Sequence, residues 1–363
     1  MRIMTILGTR PEIIRLSLII RKLDQWADKH VVVHTGQNFT SSLSGIFFEQ
    51  LALRAPDYVL EGKHQSLGGQ LAAMFREVES LLLQEHPDKV LLLGDTNSAL
   101  CAILAERLGF QVIHMEAGNR CFDLSVPEEK NRRVIDAISS INMPYTEQSK
   151  KNLVREGLPT ERIVVTGNPI YEVLQHYAPQ IHESTILEQL ELTAKGYLVV
   201  TTHRAENVDH AESLNEIMEG LNQIAEKFGQ RVICSIHPRT KSRIQESLKL
   251  QMHSLVEFHE PFGFFDFVKL EQHARLVLTD SGTVQEECCI FQVPTVTIRN
   301  STERPETIDC GSNVVCGVSA KAIVEAAVIM SAVPSRWECP VGYLADHVSD
   351  KVIKFLLGGK LHV

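Results

Sequence analysis

Residues 114–132, HMEAGNRCFDLSVPEEKNR, set the interpretation of the whole chain. They follow an apolar, strand-like run at 110–113. Together with the next residue, Arg133, they combine four carboxylates with three guanidiniums in a short stretch of sequence. The carboxylates are Glu116, Asp123, Glu128 and Glu129, and the guanidiniums are Arg120, Arg132 and Arg133. In an α/β protein, the residues just past the carboxyl end of a strand line the ligand crevice. Burial and neighbouring charge can tune carboxylates there for proton transfer, so the stretch predicts a catalytic loop. The alternative is a solvated loop with salt bridges.

Outward from this loop, strand-like apolar runs alternate with helical patterns. In the first half we predict strands at 2–7, 31–35, 89–93, 112–115, 141–144 and 163–165, and helices at 13–26, 43–51, 67–85, 99–108 and 149–156. In the second half we predict strands at 197–201, 232–236, 255–259, 276–279 and 295–298, and helices at 183–192, 214–228 and 348–357. This alternation predicts an α/β fold with parallel sheets covered by helices on both faces.

The length of 363 residues suits two domains. We place an N-terminal domain at 1–168 and a C-terminal domain at 169–345, with the joint at TGNP, residues 166–169. Residues 346–363 are expected to form a C-terminal helix that packs back on the N-terminal domain.

Composition narrows the class of protein. The net charge is −9 and no basic stripe is present, which argues against a nucleic-acid partner. No apolar run approaches the roughly 20 residues of a membrane helix, and the N-terminus lacks a signal-peptide pattern. We therefore expect no membrane association and a cytoplasmic location. The eight cysteines form no C-x-x-C pair, so we expect buried free thiols and no metal site.

Two strand-to-helix turns have features of phosphate-binding sites. GTRPE at 8–12 places Arg10, a forked donor, at a helix N-terminus whose free N–H groups suit a phosphate. The alternative is a plain turn capped by Thr9. DSGTVQEE at 280–287 places Ser281 and Gly282 at another helix start, with Glu287 further along to reach ribose hydroxyls. Together the two turns favour a nucleotide diphosphate.

These motifs resemble the non-hydrolysing UDP-N-acetylglucosamine 2-epimerases. The matching stretches follow the family's order over nearly the whole chain: GTRPE at 8–12, GDTNS at 94–98, HMEAGNR at 114–120, PEEKNR at 127–132, THRAEN at 202–207, DSGTVQEE at 280–287 and ERPE at 303–306. The resemblance implies two Rossmann-like domains facing each other across a cleft, in the glycosyltransferase-B arrangement. It also implies a UDP-sugar substrate, a homodimer, and no metal or redox cofactor.

The resemblance assigns roles to individual residues. The catalytic carboxylates match Asp95, Glu116 and Glu128, and the family's cleft histidine matches His203. Substrate contacts match Arg10, Ser281 and Gly282 for the diphosphate, Glu287 for the ribose, Phe267 for stacking on uracil, and Arg132 as a basic residue of the active-site loop. For His203, phosphate binding is the first expectation and proton transfer the second.

Two departures refine the expectation. Family members regulated by a second UDP-GlcNAc carry a Gln-His-Arg element where this chain has GQNF at 36–39, so we expect simple hyperbolic kinetics. GTRPEIIRLS, HTGQN and EAGNRCFD look closer to a sub-branch that forms UDP-N-acetyl-L-fucosamine from its 6-deoxy-L-talose epimer. In either branch the reaction centre is C2.

Other function classes remain open from the sequence. A glycosyltransferase of the same architecture needs one general base and an acceptor groove. A non-catalytic nucleotide-sugar sensor needs no proton acceptor. A hydrolysing epimerase would release free N-acetylmannosamine and UDP.

Overall fold

The computed structural model describes residues 1–36, 45–61, 66–236, 251–334 and 336–358. They divide into two compact units, Met1–Gln175 with Val341–Val363 (unit 1) and His176–Pro340 (unit 2). Each unit is built on a parallel six-stranded sheet, which confirms the predicted α/β class with two Rossmann-like domains.

The sheet of unit 1 has the order β3-β2-β1-β4-β5-β6. Its strands are β1 (Arg2–Leu7), β2 (Lys29–His34), β3 (Tyr58–Val59), β4 (Lys89–Leu93), β5 (Gln111–Met115) and β6 (Ile141–Met143). The central strands are buried on both faces, as their continuous apolar runs predict. Leu93 pairs with Met115, so β4 and β5 end side by side and their following residues meet at one edge.

Helices flank this sheet: α1 (Arg10–Trp26), α2 (Ile46–Gln50), α3 (Leu67–Glu85), α4 (Cys101–Arg107), α5 (Pro127–Ile138), α6 (Glu147–Arg155) and α7 (Pro169–His176). Local signals set their ends. In α3, the Ser66 side chain accepts from the amide of Gly69 at 3.1 Å, and His86 closes the helix in the left-handed region.

The sheet of unit 2 has the order β12-β11-β10-β7-β8-β9. Its strands are β7 (Tyr197–Thr202), β8 (Arg231–Ile236), β9 (Val256–His259), β10 (Leu276–Thr279), β11 (Thr295–Thr297) and β12 (Asn313–Val315). The remaining helices are α8 (Ala178–Glu183), α9 (Ile186–Gln189), α10 (Ala205–Val208), α11 (Ala211–Phe228), α12 (Phe264–His273), α13 (Gly282–Phe291), α14 (Pro305–Asp309), α15 (Ala320–Ala332) and α16 (Val348–Gly358). Among the described residues, no helix is long and apolar enough to cross a membrane.

Three sequence-based element predictions are wrong. The strand expected at 163–165 is a single bridge between Asn142 and Ile163. The helix expected at 183–192 is split into α8 and α9, because Ser184 and Thr185 interrupt it. The charged loop is shorter than expected, since Pro127 begins α5 and places Glu128 and Arg132 on a helix.

The unit boundaries lie near the predicted ones, which were 168/169 and 345/346. In the structure they fall after Gln175 and after Pro340. Packing explains the second difference, because the Asn168 amide donates to the Gly342 carbonyl at 2.9 Å. In α16, Asp350 pairs with Lys22 of α1, and the Ser349 hydroxyl donates to Glu172 of α7 at 2.5 Å.

Candidate active site

Glu116 follows β5 directly and has an unusual backbone. Its φ is +65°, in the left-handed region that residues other than glycine seldom occupy. Its side chain is buried and forms an ion pair with Arg15 of α1. The backbone and the guanidinium together aim this carboxylate, and strain of this kind is typical of functional positions.

A hidden carboxylate, Asp136 of α5, holds this turn in place. It accepts from Nδ1 of His114 at 2.8 Å, from the Gly118 amide at 3.1 Å, and pairs with Nη2 of Arg120 at 2.7 Å. All three partners belong to HMEAGNR. His114 precedes Glu116 in sequence, and Gly118 and Arg120 follow it, so Asp136 binds the motif before and after Glu116. Most residues of the motif therefore serve to hold the backbone on either side of Glu116.

His114 connects the two neighbouring strand ends. Its Nδ1 faces the Asp136 carboxylate, and its Nε2 faces the carbonyl oxygen of Gly94 at 2.7 Å. A carbonyl only accepts, and an ionised carboxylate only accepts, so both ring nitrogens carry a proton. Burial opposes this charge, but Asp136 and the Gly94 carbonyl raise the pKa of His114 above its ordinary value. Since Asp95 follows Gly94, the imidazolium fixes the backbone beside both Asp95 and Glu116.

Gly118 must be a glycine because α6 packs directly against it. Its φ is +78°, and a Cβ would lie 2.2 Å from the carbonyl oxygen of Ser149. Nδ2 of Asn152 donates to the Gly118 carbonyl at 2.9 Å, and Oγ of Ser149 donates to Oδ1 of Asn119 at 2.8 Å. The turn after β5 is thus fixed from two helices, α5 and α6.

Asp95 lies past the end of β4 and is paired with Arg132. Nε and Nη2 of Arg132 lie 2.7 and 2.6 Å from Oδ2 of Asp95. Nη1 of Arg132 reaches the buried carboxylate of Glu129 at 3.0 Å. Asn131 also donates to the Asp95 carbonyl at 2.9 Å. Arg132, predicted as a substrate contact, therefore orients Asp95 in this structure.

Glu128 begins α5 and differs from its neighbour Glu129. Glu128 is half-buried, and it shares a helix face with Arg132, four residues on. Glu129 is fully buried and accepts from the amides of Cys121 and Phe122 at 3.0 and 3.3 Å. Glu129 thus folds the loop, whereas the catalytic role of Glu128 stays a prediction.

The first strand-to-helix turn is occupied by its own acid. Glu12 accepts from the amides of Gly8 and Thr9 at 3.0 and 2.7 Å, and from the Thr96 hydroxyl at 3.1 Å. Burial raises the pKa of Glu12 to about 7, although these hydrogen bonds lower it. Two amides of this turn are therefore bound by Glu12, whereas the sequence-based alternative to a phosphate site was a cap by Thr9. Arg10 begins α1, and its guanidinium lies 5.6 Å from the centre of the Phe47 ring.

In unit 2, His203 forms a dyad with Asp280. Nδ1 of His203 lies 2.9 Å from Oδ1 of Asp280, and the amides of His203 and Arg204 donate to Oδ2 at 2.9 and 3.0 Å. Burial opposes ionisation, but the imidazole and these amides outweigh it and hold the pKa of Asp280 well below its usual range. Nδ1–H therefore points at Asp280, and Nε2 of the half-exposed ring remains to meet a ligand.

Ser281 and Gly282 lie where the sequence predicted, as the N-cap and first residue of α13, a helix of ten residues. Two arginines lie at this helix start, because Nε of Arg204 donates to the Asp280 carbonyl at 3.0 Å and a Cβ at Gly282 would lie 3.5 Å from Nη2 of Arg304. Nη1 of Arg299 pairs with Glu303 at 2.8 Å, and Nε of Arg304 pairs with Glu286 at 2.5 Å. A Cβ at Gly282 would lie 2.5 Å from Oε1 of Glu303, so the helix start is tightly packed.

The other two predicted nucleotide contacts also lie in unit 2. Glu287 is buried in the middle of α13. Phe267 is half-buried on α12 and packs on the apolar cluster that includes Val284 of α13. The predicted regulatory element, residues 37–39 of GQNF, lies outside the described residues.

The sequence analysis missed the buried partners of the candidate site. Arg15, Asp136 and Glu12 each act on a predicted site residue or its turn from a distant part of the chain. The only sequence signal for them is a charged residue flanked by apolar ones within a helix, as at Arg15 and Asp136.

Replacing Asp136 by Asn should destabilise unit 1. The change leaves the buried charge of His114 without its counter-charge and leaves Arg120 with Glu156 alone. Removing one partner of a buried ion pair typically costs about 3–5 kcal/mol of unfolding free energy. Because the folded state lowers the pKa of Asp136 from 3.8, the wild-type advantage is present above pH 3.8 and disappears as pH falls through the folded value. Urea unfolding followed by circular dichroism over a pH series measures it.

Glu156→Gln is the matched control, since Glu156 binds the same Arg120 from a partly exposed position. We expect a loss of about 1 kcal/mol or less. Equal losses of unfolding free energy in Asp136→Asn and Glu156→Gln would contradict this prediction, because Asp136 would then stabilise the fold no more than a partly exposed partner of Arg120 does.

Comparison with known proteins gives a consistent result. Residues 21–357 match a family model described as UDP-N-acetylglucosamine 2-epimerase. The chain is 41% identical over 367 residues to a Methanocaldococcus jannaschii protein of that name, covering 99% of this chain and 100% of the relative. It is 37% identical to a Pseudomonas aeruginosa UDP-2,3-diacetamido-2,3-dideoxy-D-glucuronate 2-epimerase, covering 90% and 91%. A solved M. jannaschii structure, of a UDP-GlcNAc 2-epimerase in complex with UDP-GlcNAc and UDP, matches with a TM-score of 0.93 and 40% identity, covering 99% and 100%.

Proposed function

The chain belongs to the UDP-N-acetylglucosamine 2-epimerase family, and on that premise we propose that it inverts C2 of a UDP-N-acetylhexosamine without net hydrolysis. The observation that carries the proposal is the pairing of two carboxylates with two guanidiniums at adjacent strand ends. Asp95 follows β4 and is held by Arg132, and Glu116 follows β5 and is held by Arg15. Carboxylates held by ion pairs after neighbouring strands suit transfer of a proton on and off one carbon.

The chemistry requires loss of UDP before C2 can be inverted. A C2 hydrogen beside an acetamido group is not acidic, and direct abstraction would need far more than pKa tuning supplies. When the C1–oxygen bond to UDP breaks, C1 becomes cation-like and the C2 proton becomes removable. The product is a 2-acetamidoglycal and UDP. Re-addition of UDP at C1, with a proton delivered to the opposite face of C2, completes the inversion.

We assign the proton transfers to unit 1. Asp95, Glu116 and Glu128 are the candidate acids and bases. Arg132 and Arg15 orient the first two through ion pairs, and His114 fixes the backbone between them. Orientation of this kind matters because a general acid or base acts only within hydrogen-bond reach of the proton.

We assign the nucleotide contacts mainly to unit 2. Ser281 and Gly282 offer the N–H groups of a helix start to the diphosphate. His203 presents Nε2, backed by Asp280, to the same group as charge develops on it. Glu287 is assigned to the ribose hydroxyls and Phe267 to the uracil ring. Arg10 of unit 1 is assigned to the diphosphate as a forked donor.

UDP-GlcNAc is the first substrate to test, because it is named for the relative at 41% identity. The 37% identical relative is named as a 2-epimerase of a different UDP-sugar, a diacetamido-glucuronate. The 6-deoxy-L-talose analogue is therefore the second substrate to test. We further propose a cytoplasmic homodimer that supplies precursors for bacterial surface polysaccharide.

Proton NMR of UDP-GlcNAc with the protein in D₂O tests the proposed function. Deuterium at C2 together with a signal from the inverted UDP-sugar is the expected result. Transfer of sugar only when an acceptor is present would establish a glycosyltransferase instead. Binding without exchange would establish a sensor, and free N-acetylmannosamine would establish a hydrolysing epimerase.

The nucleotide assignments predict the response of UDP binding to mutation. Glu287→Gln removes charged acceptors for ribose hydroxyls and Arg10→Ala removes a forked phosphate donor. Each should weaken UDP binding by about 10- to 100-fold, as expected for hydrogen bonds to charged groups. Titration calorimetry with UDP measures this. Glu325→Gln, an exposed position on α15, is the control. Unchanged affinity in both site variants would refute the assignments.

A further inference from the structure

Two cysteines of unit 2 lie in contact, and neither is among the residues assigned to catalysis or to substrate binding. Sγ of Cys289, on α13, is 3.8 Å from Sγ of Cys310, the residue that follows α14. Both are free thiols. Thiols at this separation reach the bonding distance of about 2.05 Å by a modest rotation of their side chains. The pair was not anticipated from sequence, where the two cysteines are far apart.

The two thiols differ in access. Cys289 is fully buried, whereas Cys310 is half-buried and follows the exposed residues Ile308 and Asp309. A small oxidant in solution therefore meets Cys310 first. Cys289 then lies in contact with the oxidised sulfur of Cys310, which is the arrangement of an attacking and a resolving thiol. Cys339 is also near, with its Sγ 3.5 Å from the Cys289 carbonyl oxygen.

The surroundings of Cys310 favour its reactive form. The adjacent Cys289 thiol lowers the pKa of Cys310, and the same contact raises the pKa of Cys289. The Sγ of Cys310 also lies 3.3 Å from Oγ of Ser312, and this contact lowers the pKa of the Cys310 thiol. Thiolate character and exposure together decide which cysteine is oxidised.

We propose that Cys310 and Cys289 form a modification site that a hydroperoxide converts into a reversible disulfide. The Cys310 thiolate attacks one peroxide oxygen, the O–O bond breaks, and a sulfenic acid and hydroxide result. The Cys289 sulfur then attacks the Cys310 sulfur and releases hydroxide, which takes up the Cys289 proton as water. Two thiols and one hydrogen peroxide give one disulfide and two waters.

The disulfide would tie α13 to the segment that braces it. Thr302 donates to Gln285 of α13 at 2.7 Å, and Asn313 donates to the same amide oxygen at 3.1 Å. Cys310 lies between these two residues. The new bond therefore joins elements that already pack together, in the helix that also carries Ser281, Gly282 and Glu287.

Thiol counting after oxidation tests the site. The folded wild-type protein is treated with hydrogen peroxide, unfolded, and alkylated, and its intact mass is measured. Of eight cysteines, six should be alkylated, and peptide fragmentation should place the bond between Cys289 and Cys310. Dithiothreitol should restore all eight. Eight alkylated thiols after oxidation, or a bond that involves Cys339 or Cys288, would overturn the proposal.

Single variants separate the two roles. Cys289→Ser should stop at a Cys310 sulfenic acid that dimedone traps, and Cys310→Ser should show no reaction at Cys289. Cys316→Ser is the matched control, because Cys316 lies in the same unit and its Sγ contacts backbone oxygens of Thr297 and Gly317. It should form the bond like the wild type. A bond that persists in Cys289→Ser or Cys310→Ser would refute the assignment, and melting curves of the reduced variants verify that each is folded.

Discussion

Asp95→Asn is expected to lower turnover of UDP-GlcNAc by about 10²–10⁴-fold, the usual loss for a general acid or base. The amide keeps the shape of the side chain but neither accepts a proton like a carboxylate nor pairs with the Arg132 guanidinium, now 2.6 Å from Oδ2. UDP affinity should change little, since the assigned nucleotide contacts lie elsewhere. Initial rates of C2 inversion by NMR and UDP calorimetry provide the two measurements.

Asp123→Asn serves as the control for Asp95. Asp123 is an acid of the same charged region whose carboxylate accepts from Ser125 at an exposed position, so turnover should stay near the wild-type value. Near-normal turnover in Asp95→Asn, with either UDP-GlcNAc or the 6-deoxy-L-talose analogue, would remove Asp95 from the mechanism.

Glu116→Gln should cause a loss of similar size for a different structural reason. Its backbone at φ +65° and its ion pair with Arg15 hold one carboxylate in one orientation, and glutamine keeps the backbone but loses the charge. We expect turnover to fall by about 10²–10⁴-fold. Chromatography of the products adds a sharper readout. A variant that releases UDP and glycal without returning inverted sugar identifies Glu116 as the group that reprotonates C2.

Glu147→Gln is the control for Glu116, because Glu147 is an exposed carboxylate on α6, the helix beneath the same turn. Its turnover should be unchanged. If Glu116→Gln keeps normal rates of both elimination and inversion, the strained turn after β5 has a structural role only.

The sheet edges were predictable because their signal is local. Apolar strands followed by polar residues, as at Leu93–Asp95 and Met115–Glu116, indicate parallel strands that end at a ligand edge. The loop after β5 was predicted too long for an equally local reason. Pro127 followed by Glu128 and Glu129 is a helix N-terminus signal, but the same acids also suit a charged loop.

The partners of the site were not predictable because they are distant in sequence. Arg15 is separated from Glu116 by 101 positions, and Thr96 is separated from Glu12 by 84. Nothing in a single sequence says which buried charge meets which. The roles of Asp136 and Glu129 were hidden similarly, since a carboxylate that folds a loop and one that moves a proton look alike in sequence.

Positional isotope exchange tests the central claim, that UDP leaves C1 before C2 is inverted. UDP-GlcNAc carrying oxygen-18 in the bridge between C1 and the β-phosphorus is incubated with the protein, and phosphorus NMR follows the label. If the C1–oxygen bond breaks, the freed β-phosphate rotates and the label moves into non-bridging positions at a rate no slower than inversion, provided that rotation is fast. Inversion with the label still entirely in the bridge would contradict the account.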